Sequence, residues 1–271
     1  MVTNVELQVN AHKGGYMMNV KEDLWNANLY DQKHHFVSTY GSDLVQLLTI
    51  RQGDKILDVG CGTGTLTNEI AQKGAIVVGI DQSANMISTA SAKYPTISFH
   101  VMDATTMTFE QEFDFLFSNA TLHWIKDAKH VAEAMYQSLK PGGKMVIEFG
   151  GKGNVETITN ELIKQIHTHG LPFYSSDFPW YFPSISEYTT LLESIGFKVE
   201  LAHLYDRPTP LDGENGLRNW LDMFSPTFFS KLDVVVKESI MESTVFALKE
   251  KLYRNGQWIA DYRRLRIIAA K

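Results

Sequence analysis

From residue 42 onward, apolar positions follow two alternating rhythms. Short runs at 55–59, 75–80, 97–101, 113–117 and 144–149 are dense in β-branched and aromatic residues and read as strands, while the longer stretches between them carry apolar residues three and four apart, as an amphipathic helix requires. Ser42 predicts the cap of a helix reaching about Ile50, with Leu44, Leu47 and Leu48 inward. Leu66, Ile70 and Ala71 set the inner face of the next helix, which Gly74 ends. Helices over Ala84 to Lys93, stopped by Pro95, and over Ala128 to Leu139 follow. Ala75 to Ile80 is apolar throughout, as expected of a strand covered on both faces. This alternation predicts an α/β fold with a doubly wound, mostly parallel sheet and helices on both faces.

After Gly150 the rhythm loosens. A helix is expected from Val155 to about His169, another from Ser186 to Ile195, and a strand over Lys198 to Leu204. Residues 215–254 read as helical and 258–270 as a long closing strand. The stretch 171–183 holds Phe173, Tyr174, Phe178, Trp180, Tyr181 and Phe182 among its prolines, too much apolar surface for a solvated linker, so it predicts a packed lid. The expected organisation is an N-terminal segment 1–41 covering the site and a domain 42–271 with lid elements at about 152–185 and 206–257.

A chain of 271 residues suits one large domain with an elaboration. Its net charge of −6, with no basic run longer than Arg263-Arg264, makes nucleic acid a poor expected partner. The apolar runs fall short of the ~18 residues that span a bilayer, so no membrane association is expected. Residues 1–10 lack the basic start and apolar centre of a signal peptide, which places the expected location in the cytoplasm. Cys61, the lone cysteine, makes no intramolecular disulfide and builds no zinc site by itself, so no metal is expected. Nothing in the sequence reports the oligomeric state.

The segment that carries chemistry is Asp58-Val59-Gly60-Cys61-Gly62-Thr63-Gly64, set between a strand and a helix. Its spacing is G-x-G-x-G rather than the G-x-G-x-x-G of a dinucleotide loop, and a carboxylate at Asp58 suits an ammonium or sulfonium better than a pyrophosphate. Asp81 closes the second strand, 21 residues after Gly60, where a carboxylate accepts from two ribose hydroxyls. Asp103 closes the third and is placed to accept from an adenine amine. Cation, ribose and adenine together point to S-adenosylmethionine, bound at the carboxyl edge of the sheet.

These residues resemble the class I S-adenosylmethionine-dependent methyltransferases. The resemblance covers about Trp25 to Leu204 and rests on ILDVGCGTG at 56–64, VVGIDQSANMI at 77–87, DA at 103–104, SNATLHW at 118–124 and LKPGG at 139–143. Within that superfamily, WNANLY at 25–30 and NATLHW at 119–124 are similar to the trans-aconitate methyltransferase group of small-molecule carboxyl methyltransferases. The resemblance implies a seven-stranded sheet whose last strand is antiparallel. It also implies a cofactor pocket lined by Gly60, Gly62, Asp81, Gln82, Met86, Asp103, Ala104 and Asn119, with Asp58 and Cys61 of the same loop counted beside them. His123 stands where that group commonly has Gln, and Glu148-Phe149-Gly150-Gly151 departs from its pattern, so the substrate is not carried over. Carrier-protein-linked malonyl methyltransferases share the general motifs, and a regulator that binds the cofactor without chemistry is the other alternative.

Methyl transfer from a sulfonium is an in-line displacement that needs alignment and a dry pocket more than acid–base power. A carboxylate acceptor requires no base. An amine, phenol or carbon acid does, and His123 is the nearest histidine, either as that base or as a structural hydrogen-bonding group. Trp25 and Tyr30 either close over the sulfonium by cation–π contact or simply pack. His34 and His35 are expected to cap or to face solvent. Trp180, Tyr181 and Phe182 wall the acceptor pocket or belong to the core, and Arg207 either holds an acceptor carboxylate or forms an ion pair. The expectation is a methyltransferase acting on a small organic acceptor, a carboxylate being favoured.

Overall fold

The computed structural model describes residues 41–230 and 232–271. In chain order its elements are β1 (Lys55–Val59), α1 (Thr65–Gln72), β2 (Ile76–Asp81), α2 (Ala84–Lys93), β3 (Ser98–Val101), β4 (Phe113–Asn119), α3 (Ala128–Ser138), β5 (Leu139–Gly150) and α4 (Glu156–Thr168). They continue with α5 (Ile185–Ile195), β6 (Lys198–Leu211), α6 (Gly216–Phe224), α7 (Val234–Leu252), β7 (Tyr253–Arg254) and β8 (Gln257–Ala270). The sheet runs β3-β2-β1-β4-β5-β8-β6, with β7 paired to β8. Pairing is parallel from β3 to β5, and β8 is antiparallel to both β5 and β6. The closing strand therefore lies inside the sheet, and β6 runs in the same sense as the first five.

Strand alternation sorts the core. Leu57 and Val59 point to the face packed by Met135 of α3 and Leu192 of α5, while Ile56 points to the face packed by Ile70 of α1 and by Leu44 and Leu48. A third cluster joins Leu162, Trp180, Trp220, Ile240, Trp258 and Tyr262, so the segments that follow β5 have a core of their own. That cluster sits on an arm of the sheet: β8 pairs β5 only from Arg264 onward, whereas it pairs β6 back to Trp258.

Several expectations change. Ser42 is already helical, within 41–45, and its hydroxyl donates to Glu69 Oε2 at 2.7 Å; committed there, it does not cap. The helix gives way to a turn after residue 45, and Leu47 is 37% exposed. Ile76 is 57% exposed because β3 pairs β2 only from Val78 onward and leaves the strand's start uncovered. The stretch read as continuous helix from 215 breaks at Pro226, which opens a 3₁₀ turn, and restarts at Asp233, whose Oδ1 accepts from the Val235 and Val236 N–H groups. The strand expected to stop at Leu204 reaches Leu211 because the β8 arm continues to pair with it. No helix of the described residues is long and apolar enough to cross a membrane.

Candidate active site

The loop after β1 is tied to β2 by its own backbone: the N–H groups of Gly60 and Cys61 both donate to Ile80 O, at 2.8 and 3.0 Å. Gly60, Gly62 and Gly64 have φ of +78°, +54° and +80°, a region that favours residues without Cβ. A Cβ at Gly60 would collide with Thr121, so the close approach of the two loops is what that glycine permits. At Gly62 a Cβ would meet nothing within 4 Å; this side of the loop is open. The Gly62 N–H donates to Asp81 Oδ2 at 3.0 Å and the Ser83 N–H to Asp81 Oδ1 at 2.9 Å. Ser83 in turn caps α2 by accepting from the Met86 N–H at 3.1 Å, which fixes Gln82 and Met86 beside the loop. Asp103, just past β3, accepts on Oδ1 from the backbone N–H and hydroxyl of Thr105, at 2.9 and 2.7 Å.

Gly60, Gly62, Asp81, Gln82, Met86, Asp103, Ala104, Asn119 and His123 line one cavity. Asp58 and Cys61 are not on its wall. In β1, Asp58 shares a face with Ile56 and so turns toward α1, where its Oδ2 accepts from Thr67 Oγ1 at 2.6 Å. Burial pushes its pKa up to about 7, against the Thr67 bond and with help from the Asp81 charge. Cys61 turns beneath the loop against Gly79, and burial first, then Asp58 and Asp81, pushes its thiol far above the ordinary range. Trp25, Tyr30, His34 and His35 lie outside the described residues.

The opposite wall is aromatic. Trp180 lies 5.5 Å from Trp124, 5.6 Å from Phe182 and 6.2 Å from Trp220 between ring centroids, and Trp220 lies 5.3 Å from Phe224. Of the three lid aromatics anticipated, Trp180 and Phe182 reach the cavity, whereas Tyr181 packs on Tyr188 and joins the main core. Trp220 and Phe224, one turn apart on α6, are wall residues that the sequence reading, which gave 215–254 only as helical, did not single out. Arg207 is not free for an acceptor: its Nη2 stands 2.6 Å from Oε1 of the buried Glu148, whose Oε2 also accepts from Arg266 Nε at 2.7 Å. The arginine on the cavity wall is Arg264, on the same side of β8 as Trp258, Ala260 and Tyr262.

His123 sits in the 3₁₀ turn Leu122–Trp124 after β4, only 7% exposed. Its Nδ1 accepts from the Gly150 N–H at 3.3 Å, and its carbonyl accepts from the Tyr181 N–H at 2.8 Å. Burial, and then the Arg264 charge, hold its pKa well below the usual imidazole range, so the ring is neutral at pH 7. Because Nδ1 is an acceptor in this network, the single proton is assigned to Nε2.

A family model described as a methyltransferase domain matches residues 57–147. An uncharacterized methyltransferase of Schizosaccharomyces pombe is 34% identical over 263 residues, 92% of this chain and 99% of that protein. A trans-aconitate 2-methyltransferase of Deinococcus radiodurans is 34% identical over 127 residues, 46% of this chain and 48% of that protein. Phosphoethanolamine N-methyltransferase 2 of Haemonchus contortus, solved with phosphomonomethylethanolamine and S-adenosylhomocysteine, shares the fold with a TM-score of 0.52 at 22% identity, over 86% of this chain and 52% of that one. Matched along nearly its whole length by a methyltransferase, and built around the glycine loop just described, this chain belongs to the class I S-adenosylmethionine-dependent methyltransferases and uses that cofactor.

Proposed function

We propose that this enzyme methylates a small organic acid on a carboxylate oxygen. The observation that carries the reading is His123: one ring nitrogen accepts from Gly150 and the other holds the proton, so the histidine on the cavity wall is poised to donate and not to deprotonate an acceptor. A carboxylate is ionised at neutral pH and needs no base.

The residues at the other end of the cavity suit the cofactor. Gly62 leaves an open cradle, Asp81 is held on the cavity wall by its bonds to Gly62 and Ser83, and Asp103 Oδ2 is engaged by none of the described residues. Asp81 and Asp103 would receive the ribose hydroxyls and the adenine amine. When bound, S-adenosylmethionine supplies a methyl on a sulfonium, which passes to the acceptor oxygen as the carbon–sulfur bond breaks and its electron pair stays on sulfur, with no proton transferred. The chain's own part is to hold the acceptor, exclude water with the Trp180, Phe182, Trp220 and Phe224 wall, and donate from His123 Nε2.

The test is turnover of the full chain with methyl-labelled cofactor against a panel of acids, amines and phenols, the product's methyl shift separating ester from N-methyl, O-aryl and C-methyl groups. Ester formation is the expected result; transfer to nitrogen or carbon overturns the reading.

A further inference from the structure

We infer that Arg264 receives the acceptor's acid group and that the acceptor is a monocarboxylate with a flat apolar body. This rests on the carboxylate reading above and names its substrate class.

The charged and hydrogen-bonding side chains on the cavity wall differ in character. At the loop end, Asp81 and Asp103 offer only acceptors. At the other end the groups are donors: the Arg264 guanidinium, the Nε2–H of His123, and Asn154, whose Oδ1 already accepts from the Arg263 N–H at 2.8 Å and so presents its amide NH₂. Arg264 is 6% exposed, and its Nη1 is buried with no hydrogen-bond partner among the described residues. Its guanidinium is held 4.5 Å over the Tyr262 ring, which fixes its place without neutralising it. The neighbouring arginines are matched: Arg263 faces Asp206 at 3.2 Å, and Arg207 and Arg266 share Glu148. With Glu148 already committed twice, Arg264 has no carboxylate of its own among the described residues. A buried guanidinium without a counter-ion is costly to keep, and an anionic ligand removes that cost.

Among the described residues that line the cavity, Arg264 is the one unmatched cation, which argues for one negative charge. A tricarboxylate would bring two further charges against aromatic walls and toward Asp81 and Asp103, with no cation left among the described lining residues to meet them. The walls define the rest of the molecule: Trp180 and Phe182 lie with 18° between their planes, and Trp220 and Phe224 complete an apolar surface suited to a flat body.

The experiment is titration calorimetry on the full chain saturated with S-adenosylhomocysteine, using trans-cinnamate, its neutral amide, and propane-1,2,3-tricarboxylate. Cinnamate is expected to bind at least about tenfold more tightly than either. In Arg264→Met the acid should lose that advantage, while the amide keeps its affinity within about twofold and S-adenosylhomocysteine still binds, which reports an intact fold. Arg264→Lys, with charge but no planar fork, should fall between the two. The inference is overturned if wild type prefers the amide or the tricarboxylate, if it binds no cinnamate up to about 10 mM, or if the preference survives in Arg264→Met. Binding and transfer fail separately: an acid that depends on Arg264 but is methylated at another atom leaves Arg264 in place and removes the ester reading.

Discussion

At the scale of single residues, the histidine beside the aromatic wall carries the sharpest consequence. Since His123 is neutral and its Nδ1 accepts from Gly150, the rate of methyl transfer should show no rise through pH 6 to 7. Replacing it with glutamine, which keeps an N–H donor, should lower kcat less than about tenfold. A hundredfold fall with normal cofactor binding in steady-state kinetics would restore the base. Asp81 is the second point. Asp81→Ala removes the acceptor for Gly62 and Ser83 as well as the group proposed to receive the ribose, so calorimetry should show cofactor binding weakened by roughly tenfold to several hundredfold. The sequence made Asp81 legible because its place follows from the strand it ends. It misplaced Asp58 because two residues before the first glycine is still inside β1, where alternation decides the face, and there Thr67 and α1 claim the carboxylate.

Elements reveal where patterns suffice and where they run out. β1 to β4 and α2 were readable to within a residue or two, since buried β-branched runs and a serine cap leave few alternatives, whereas β5 begins at Leu139, ahead of the expected 144, where Leu139 pairs with Phe113 across the Pro141-Gly142-Gly143 stretch. The reach of β6 was not readable, because it depends on a partner far away in the chain, and α6 was separated from α7 by one proline inside an otherwise helical pattern. The α5 terminus shows a local rule holding. Ser184 Oγ accepts from the Glu187 N–H at 3.3 Å while Glu187 Oε2 accepts from the Ser184 N–H at 2.7 Å, a reciprocal cap on the helix that covers the sheet with Tyr188 and Leu192. Ser184→Ala should cost about 1 kcal/mol in urea unfolding with an unchanged m-value.

For the whole molecule, two buried groups pull stability in opposite directions with pH. Asp58 keeps its proton in the fold up to about pH 7 but gives it up near pH 4 when unfolded, so folding binds extra protons in that window and Asp58 weakens the fold as pH rises through it. His123 stays neutral in the fold but takes a proton below about pH 6.5 once unfolded, so it weakens the fold as pH falls. The advantage of Asp58→Asn over wild type should therefore grow between pH 4 and 7 and level off above, whereas that of His123→Gln should grow as pH drops below 6.5; thermal melts across that range test both signs. The molecule's charge layout was half legible for a related reason. The acidic residues follow one another at successive strand ends, whereas the donor end joins a turn after β4, a loop before α4 and the middle of β8. Read as a doublet, Arg263-Arg264 conceals that the two side chains leave opposite faces of one strand.

The position of β8 between β5 and β6 also sets an order of assembly. Among the described strands, β6 hydrogen-bonds only to β8, yet it is synthesised earlier. Until β8 arrives, β6 has no strand to pair with, β5 is an open edge, and both are exposed to pairing with other chains. Closing that gap is the most sequence-distant step of the sheet and should limit the folding rate. It is also the step that delivers Tyr262 and Arg264 to the cavity, so a nascent chain completes the glycine loop and its carboxylates well before it gains these two wall residues. Loss of β8 docking by local opening would undo the site in the reverse order.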